Sequence, residues 1–167
     1  AAHPSTAAFP ALPSSRPFPR RAMSKPPPAA EELKQRGNEL FAKGKYSAAA
    51  EAYTEAVVLA PRWPVPLVNR ALCHRRRQRW ADVAEDCTKA LGLDSGLLKA
   101  HYMLALSRMV EGKLAEAVSG LEKALELARE SGSTIQDEIW AMLARAKHDM
   151  WEPGARAKAE RREALVG

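Results

Sequence analysis

A period of 34 residues constrains this chain more than any other feature. When residues 30–61 are set against the two windows that follow, small and bulky positions fall into register. Gly37, Ala71 and Ala105 align as small residues where two helices must approach closely, and Tyr46, Trp80 and Leu114 align as bulky residues opening a second helix. Ala49, Val83 and Ala117 follow, then Tyr53, Cys87 and Leu121, then Ala56, Ala90 and Ala124. The spacing holds through three units without a gap, and Pro61 stops the first. A unit this short cannot bury its apolar face alone, so neighbours must stack.

Each unit divides into two amphipathic helices. Leu33, Gly37, Leu40 and Phe41 fall on one helical face, Lys43-Gly44-Lys45 makes a turn, and Ala49, Tyr53, Ala56 and Ala60 line the next helix. Gly112 marks the corresponding turn of the third unit, and Arg76-Arg77-Gln78-Arg79 takes that place in the second. Helix-turn-helix units at this period are the tetratricopeptide pattern. They predict an all-α, right-handed superhelix with units over 30–63, 64–97 and 98–129 and a concave groove lined by the first helix of each. Ser133 and Thr134, followed by Gln136 and Asp137, supply N-cap chemistry for a capping helix over 134–152. Ile139, Leu143, Ala146 and Met150 give that helix its apolar stripe; Pro153-Gly154 is expected to break it, leaving a charged helical tail over 153–167.

The first 30 residues hold eight of the twelve prolines, so a disordered Pro/Ala/Ser-rich leader is expected over 1–29. It is free of acidic residues, and its arginines and serines faintly resemble an organelle transit peptide. Met23 stands just before the folded part, so residues 1–22 are open to lying upstream of a usual start. Arg16, Arg20, Arg21 and Lys25 account for four of the net +6, which leaves only +2 for residues 31–167 and weakens any case for nucleic acid. No apolar run approaches the roughly 20 residues that span a bilayer. With two cysteines, Cys73 and Cys87, and no signal-peptide core, reduced thiols in the cytoplasm or nucleus are expected.

Between Val68 and Trp80 the chain packs five arginines beside Cys73-His74. Arg75, Arg76, Arg77 and Arg79 collect at a helix C-terminus, where cations meet the negative end of the dipole. RNA binding through them is the rival reading. Cys73 and His74 have no second ligand pair at zinc spacing, and no phosphate loop, nucleophile elbow or HExxH is present. No cofactor, metal or catalytic residue is expected, and the chain reads as a binding module.

What the groove would bind follows from its polar residues. Lys34 and Asn38 share one face of the first helix, Asn69 takes a nearby position one repeat on, and Lys99 leads the third unit. Two lysines and two asparagines converging from three helices suit a peptide carboxylate. Leu72, Tyr102 and Met103 would form an apolar pocket beside them. The alternatives are four solvated surface residues, or a scaffold whose groove takes an internal protein segment.

Lys34-Gln-Arg-Gly-Asn38-Glu-Leu-Phe41, then Asn69-Arg-Ala-Leu-Cys73, then Lys99-Ala-His-Tyr-Met103 resemble the carboxylate-clamp tetratricopeptide domains of chaperone cofactors. Asp86-Cys87 and the run from Glu138 to Glu152 narrow the likeness to the CHIP family (carboxyl terminus of heat-shock-cognate-70-interacting protein) in its plant form. The resemblance implies that Lys34, Asn38, Asn69 and Lys99 grip the terminal and aspartate carboxylates of the EEVD tails of heat-shock protein 70 and 90 chaperones. It implies that Leu72, Tyr102, Ile135 and Ile139 face the apolar residues upstream, with Glu138 at the rim. Many such clamps carry a basic residue where Met103 stands, so more reliance on the pocket is implied. CHIP-type proteins continue into a U-box that recruits a ubiquitin-conjugating enzyme in protein quality control. This chain stops at Gly167 without one, so the expectation is a monomeric fragment or a shorter form that binds chaperones without ubiquitinating their clients.

Overall fold

Three turns of one geometry set the architecture. After Phe41, His74-Arg75 and Met109 the chain reverses through Gly44, Gln78 and Gly112, with φ of 72°, 58° and 75°. In each turn the next residue's N–H bonds back across it: Lys45 to the Leu40 carbonyl, Arg79 to His74 and Lys113 to Arg108, at 2.9 Å in every case. Those bonds satisfy carbonyls that a helix end leaves open.

The computed structural model describes residues 25–166, and the leader expected over 1–29 lies outside it except for its last residues. Among the described residues the chain forms α1 (Pro28–Ala42), α2 (Tyr46–Leu59), α3 (Pro64–Arg76), α4 (Trp80–Leu93), α5 (Leu98–Val110), α6 (Leu114–Ser131) and α7 (Gln136–Val166), and no strand. Prolines open α1 and α3, where a missing N–H costs nothing and the fixed φ suits the first turn. Consecutive helices pack on one another along the whole chain, and the first helices of adjacent units also touch.

The core is a row of three clusters, each closed by the next unit. Ala49, Ala50 and Tyr53 pack with Cys73 from α3. Leu67, Val68, Ala71, Val83, Cys87 and Ala90 pack with Ala100 and Met103 from α5. Tyr102, Ala105, Leu121, Ala124, Leu125 and Ala128 are closed by Ile139, Leu143 and Ala146 of α7. Ala49, Val83 and Ala117, like Ala56, Ala90 and Ala124, are fully buried. The 34-residue register is therefore a register of burial. Ser107, fully buried, ties α5 to the second unit by donating to the Trp80 carbonyl at 2.9 Å.

Two local readings differ from the structure. The junction before α7 is closed by Gln136, whose amide donates to the Ala128 carbonyl at 3.2 Å, while Gly132 takes the left-handed C-cap of α6 at φ 62°. Helix α7 does not stop at Pro153-Gly154 but runs on to Val166. A proline forfeits one helical bond and crowds the carbonyl four residues back. The flanking Ala-, Arg-, Lys- and Glu-rich sequence consists of strong helix formers that carry the helix across it.

Candidate functional site

The polar residues expected in the groove, Lys34, Asn38, Asn69 and Lys99, stand on α1, α3 and α5. Asn38 and Asn69 are brought into direct contact, with the Asn69 Nδ2 donating to the Asn38 Oδ1 at 3.3 Å. The Tyr53 hydroxyl, from the core of the first unit, donates to the same oxygen at 2.7 Å. Burial pushes the Tyr53 phenol up to about 12, so it remains protonated and a donor.

Lys34 lies one turn before Asn38 on α1. Its ammonium bonds the Glu31 carboxylate at 2.5 Å and sits 5.3 Å above the centre of the Trp63 ring. Trp63 precedes α3 in the chain, so the loop between the first two units supplies a wall for the lysine. Lys99 is exposed in the first turn of α5, with no ion pair to any described residue. The lysines and asparagines thus form two kinds of donor: two amides in direct contact, and two ammonium groups, Lys34 on α1 and Lys99 on α5.

The apolar side of the site is smaller than the sequence reading had it. Leu72 and Ile135 are half-buried and available at the surface. Tyr102 is 5% exposed, its hydroxyl donating to Glu138 at 2.6 Å and its ring lying 5.8 Å from the Arg75 guanidinium. Desolvation, then the bond to Glu138, drive its phenol far above the ordinary tyrosine range. Met103, at 1% exposure, and Ile139, at 0%, do not line a groove. Met103 packs inside the second cluster and Ile139 inside the third. A long side chain on α5 folds back along its helix onto α3, and the capping helix must spend its first apolar residue covering α6.

Glu31, Trp63, Tyr53 and Arg75 were not foreseen in the site. Glu31 could have been found from the i, i+3 rule with Lys34. Trp63 meets Lys34 only through the path of the loop leading into α3, Arg75 meets Tyr102 only through stacking of successive units, and Tyr53 read as a core residue alone.

The arginine-rich stretch is mostly engaged in structure. Arg70 makes a paired contact to Asp86, Nε to Oδ2 at 2.8 Å and Nη2 to Oδ1 at 2.5 Å, and its Nη1 donates to the Thr54 hydroxyl at 3.0 Å. Asp86 is 3% exposed, so this pair links α3 to α4 inside the fold. Arg79 pairs with Asp82 at 2.5 Å. Cys73 and Cys87 are buried free thiols, pushed up by desolvation to about 11 and about 12, and thus poor nucleophiles. Among the described residues no group of three or more metal-ligating side chains converges, and no helix is long and apolar enough to cross a membrane.

Comparison with known proteins agrees with this architecture. The family profile of the tetratricopeptide repeat matches residues 30–63, the first unit. An E3 ubiquitin-protein ligase CHIP of Arabidopsis thaliana is 45% identical over 125 residues, covering 74% of this chain and 45% of that protein. The chain therefore spans less than half the length of that relative. The first tetratricopeptide domain of Spaghetti (RPAP3), solved bound to the HSP90 peptide SRMEEVD, superposes with a TM-score of 0.67 at 31% identity, covering 73% of this chain and 93% of that one. The second such domain of human RPAP3, solved with the HSP70 peptide SGPTIEEVD, gives 0.65 at 32% identity, with 74% and 98% covered. With its units, turns and core in this arrangement, the chain belongs to the tetratricopeptide-repeat family.

Proposed function

We propose that this chain is a chaperone-binding module whose groove holds the C-terminal EEVD tail of heat-shock protein 70 and 90 chaperones through Lys34, Asn38, Asn69 and Lys99. The observation that carries the reading is the Asn38–Asn69 contact, with Lys34 one turn before Asn38 on α1 and Lys99 exposed in the first turn of α5. A carboxylate accepts hydrogen bonds and offers none, so it is matched by a site built from amide and ammonium donors. Charge-assisted bonds contribute roughly 1.5–3 kcal/mol each, and three or four of them bring such a tail to about micromolar affinity. Two structural relatives bound to EEVD peptides support the choice of ligand. Leu72 and Ile135, with the Tyr102–Glu138 rim, are assigned to the residues upstream of the tail.

The 45% identity to the Arabidopsis CHIP ligase supports a finer reading, in which the module serves a CHIP-type ubiquitin ligase in protein quality control. Ubiquitin transfer would then belong to a partner or to sequence beyond the described helices.

The test is a titration of fluorescent SRMEEVD, as free acid and as C-terminal amide, into the wild-type chain and Lys34→Ala/Lys99→Ala. Binding that is lost with the amide and with the double variant is the expected result. Equal binding of the two peptides to both proteins overturns the clamp and leaves a groove for internal segments.

A further inference from the structure

We infer that Tyr53 is a positioning residue of the groove: its hydroxyl fixes the Asn38 carboxamide so that the amide N–H groups, not the oxygen, face the ligand carboxylate. The inference rests on the carboxylate-clamp reading above and adds a residue from the opposite helix of the unit.

The repeat itself separates packing from positioning. Tyr53, Cys87 and Leu121 occupy one position of the 34-residue register, and all are buried at 0–2% exposure. Cysteine and leucine fill that position in the second and third units, so the core there asks only for apolar volume. The first unit departs from the others twice. It carries the large ring of Tyr53, and it carries Gly37 where Ala71 and Ala105 stand in the other units. A methyl group at Gly37 would come within 2.5 Å of the tyrosine ring, so the glycine is what admits it. The ring meets the demand of packing, and the hydroxyl is surplus to it.

That hydroxyl projects past the core to the exposed face of α1. It donates to the Asn38 Oδ1 at 2.7 Å, and the Asn69 Nδ2 donates to the same atom at 3.3 Å. An amide oxygen has two lone pairs, so both are taken. What Asn38 has left to offer is its two N–H donors. Turned the other way, the same side chain would present an oxygen to a carboxylate and repel it. Holding the amide in the productive orientation before the ligand arrives lowers the ordering cost of binding. Because the phenol is protonated throughout the physiological range, the arrangement does not depend on pH.

The experiment uses the full chain, with SRMEEVD as free acid and as amide, titrated into wild type, Tyr53→Phe, Asn38→Ala and Tyr53→Phe/Asn38→Ala. Phenylalanine keeps the ring against Gly37, so thermal unfolding should stay close to wild type. Loss of one orienting hydrogen bond is expected to weaken the free-acid peptide by roughly fivefold. The residual binding of the amide should not change, and adding Tyr53→Phe to Asn38→Ala should give no further loss. A role in packing alone would move both peptides together and would persist without Asn38; either result overturns the inference, as does wild-type affinity in Tyr53→Phe. The clamp is judged separately by Lys34→Ala/Lys99→Ala, so a failure of Tyr53 with an intact lysine effect leaves the proposed function standing.

Discussion

The Lys34 ammonium lies 2.5 Å from the Glu31 carboxylate, one turn earlier on α1. In the proposed clamp, one of the two lysines therefore already holds a carboxylate before any ligand arrives. A ligand must displace Glu31 or share the ammonium with it, and Trp63 keeps the lysine in place while it does so. The pair is an i, i+3 contact with the Glu31 side chain 40% exposed, so its effect is modest. Glu31→Gln is expected to raise affinity for the SRMEEVD free acid by about twofold, the equivalent of one exposed helical ion pair. Fluorescence anisotropy in low salt measures it, and weaker binding in Glu31→Gln would show that the carboxylate positions the lysine instead of competing for it.

Gly37 and Tyr53 are coupled by the 2.5 Å approach that a methyl group would make to the ring. Gly37→Ala gains about 1 kcal/mol of helix propensity but must move a fully packed aromatic side chain, which costs about 1–3 kcal/mol. The single variant should be destabilised by urea unfolding. In a Tyr53→Leu background the first unit acquires the pairing of the third, Ala105 with Leu121, and the same alanine should become neutral or stabilising. Additive effects in this cycle would mean that the ring relaxes freely and that the glycine has no packing role.

Gln78 holds the turn position that Gly44 and Gly112 hold in the other units, at φ 58°. The left-handed region costs a residue with a Cβ roughly 1–2 kcal/mol, while glycine adds entropy to the unfolded chain. The balance favours Gln78→Gly by about 0.5–1 kcal/mol. A higher midpoint in urea with an unchanged slope would confirm it, and a lower midpoint would show that the Gln78 side chain makes an offsetting contribution.

Burial was legible in the sequence because the repeat makes it periodic: Ala49, Val83 and Ala117 could be placed in the core without any knowledge of neighbours. The groove was less legible. Tyr102 and Met103 differ by one residue, or about a quarter turn, and only the packing of α5 against α3 decides that Met103 enters the core. Contacts between helices and loops far apart in sequence were invisible for the same reason. The Arg70–Asp86 pair spans 16 residues and the Trp63–Lys34 contact joins a loop to a preceding helix, so neither leaves a local spacing signal. Pro153 misled because its local penalty is real, yet the helix formers on both sides outweigh it.

His74 stands beside the Arg70–Asp86 pair with its Nε2 3.6 Å from Asp86 and its Nδ1 buried without a hydrogen-bond partner. Desolvation lowers its pKa from 6.5; Asp86 and Asp82 oppose the shift, and Arg70 and Arg79 reinforce it. A histidine whose folded pKa lies below its unfolded value binds its proton more readily in the unfolded chain. Its contribution is thus fully present above 6.5 and is lost as pH falls through the lowered folded value. His74→Gln keeps a polar side chain but removes the titration. Unfolding midpoints measured from pH 7.5 down to 5 should fall more steeply for the wild type than for His74→Gln, with the two curves diverging below about 6.5. Parallel curves would mean that His74 is protonated as easily in the folded chain as in the unfolded one, and that the neighbouring carboxylates fully offset its burial.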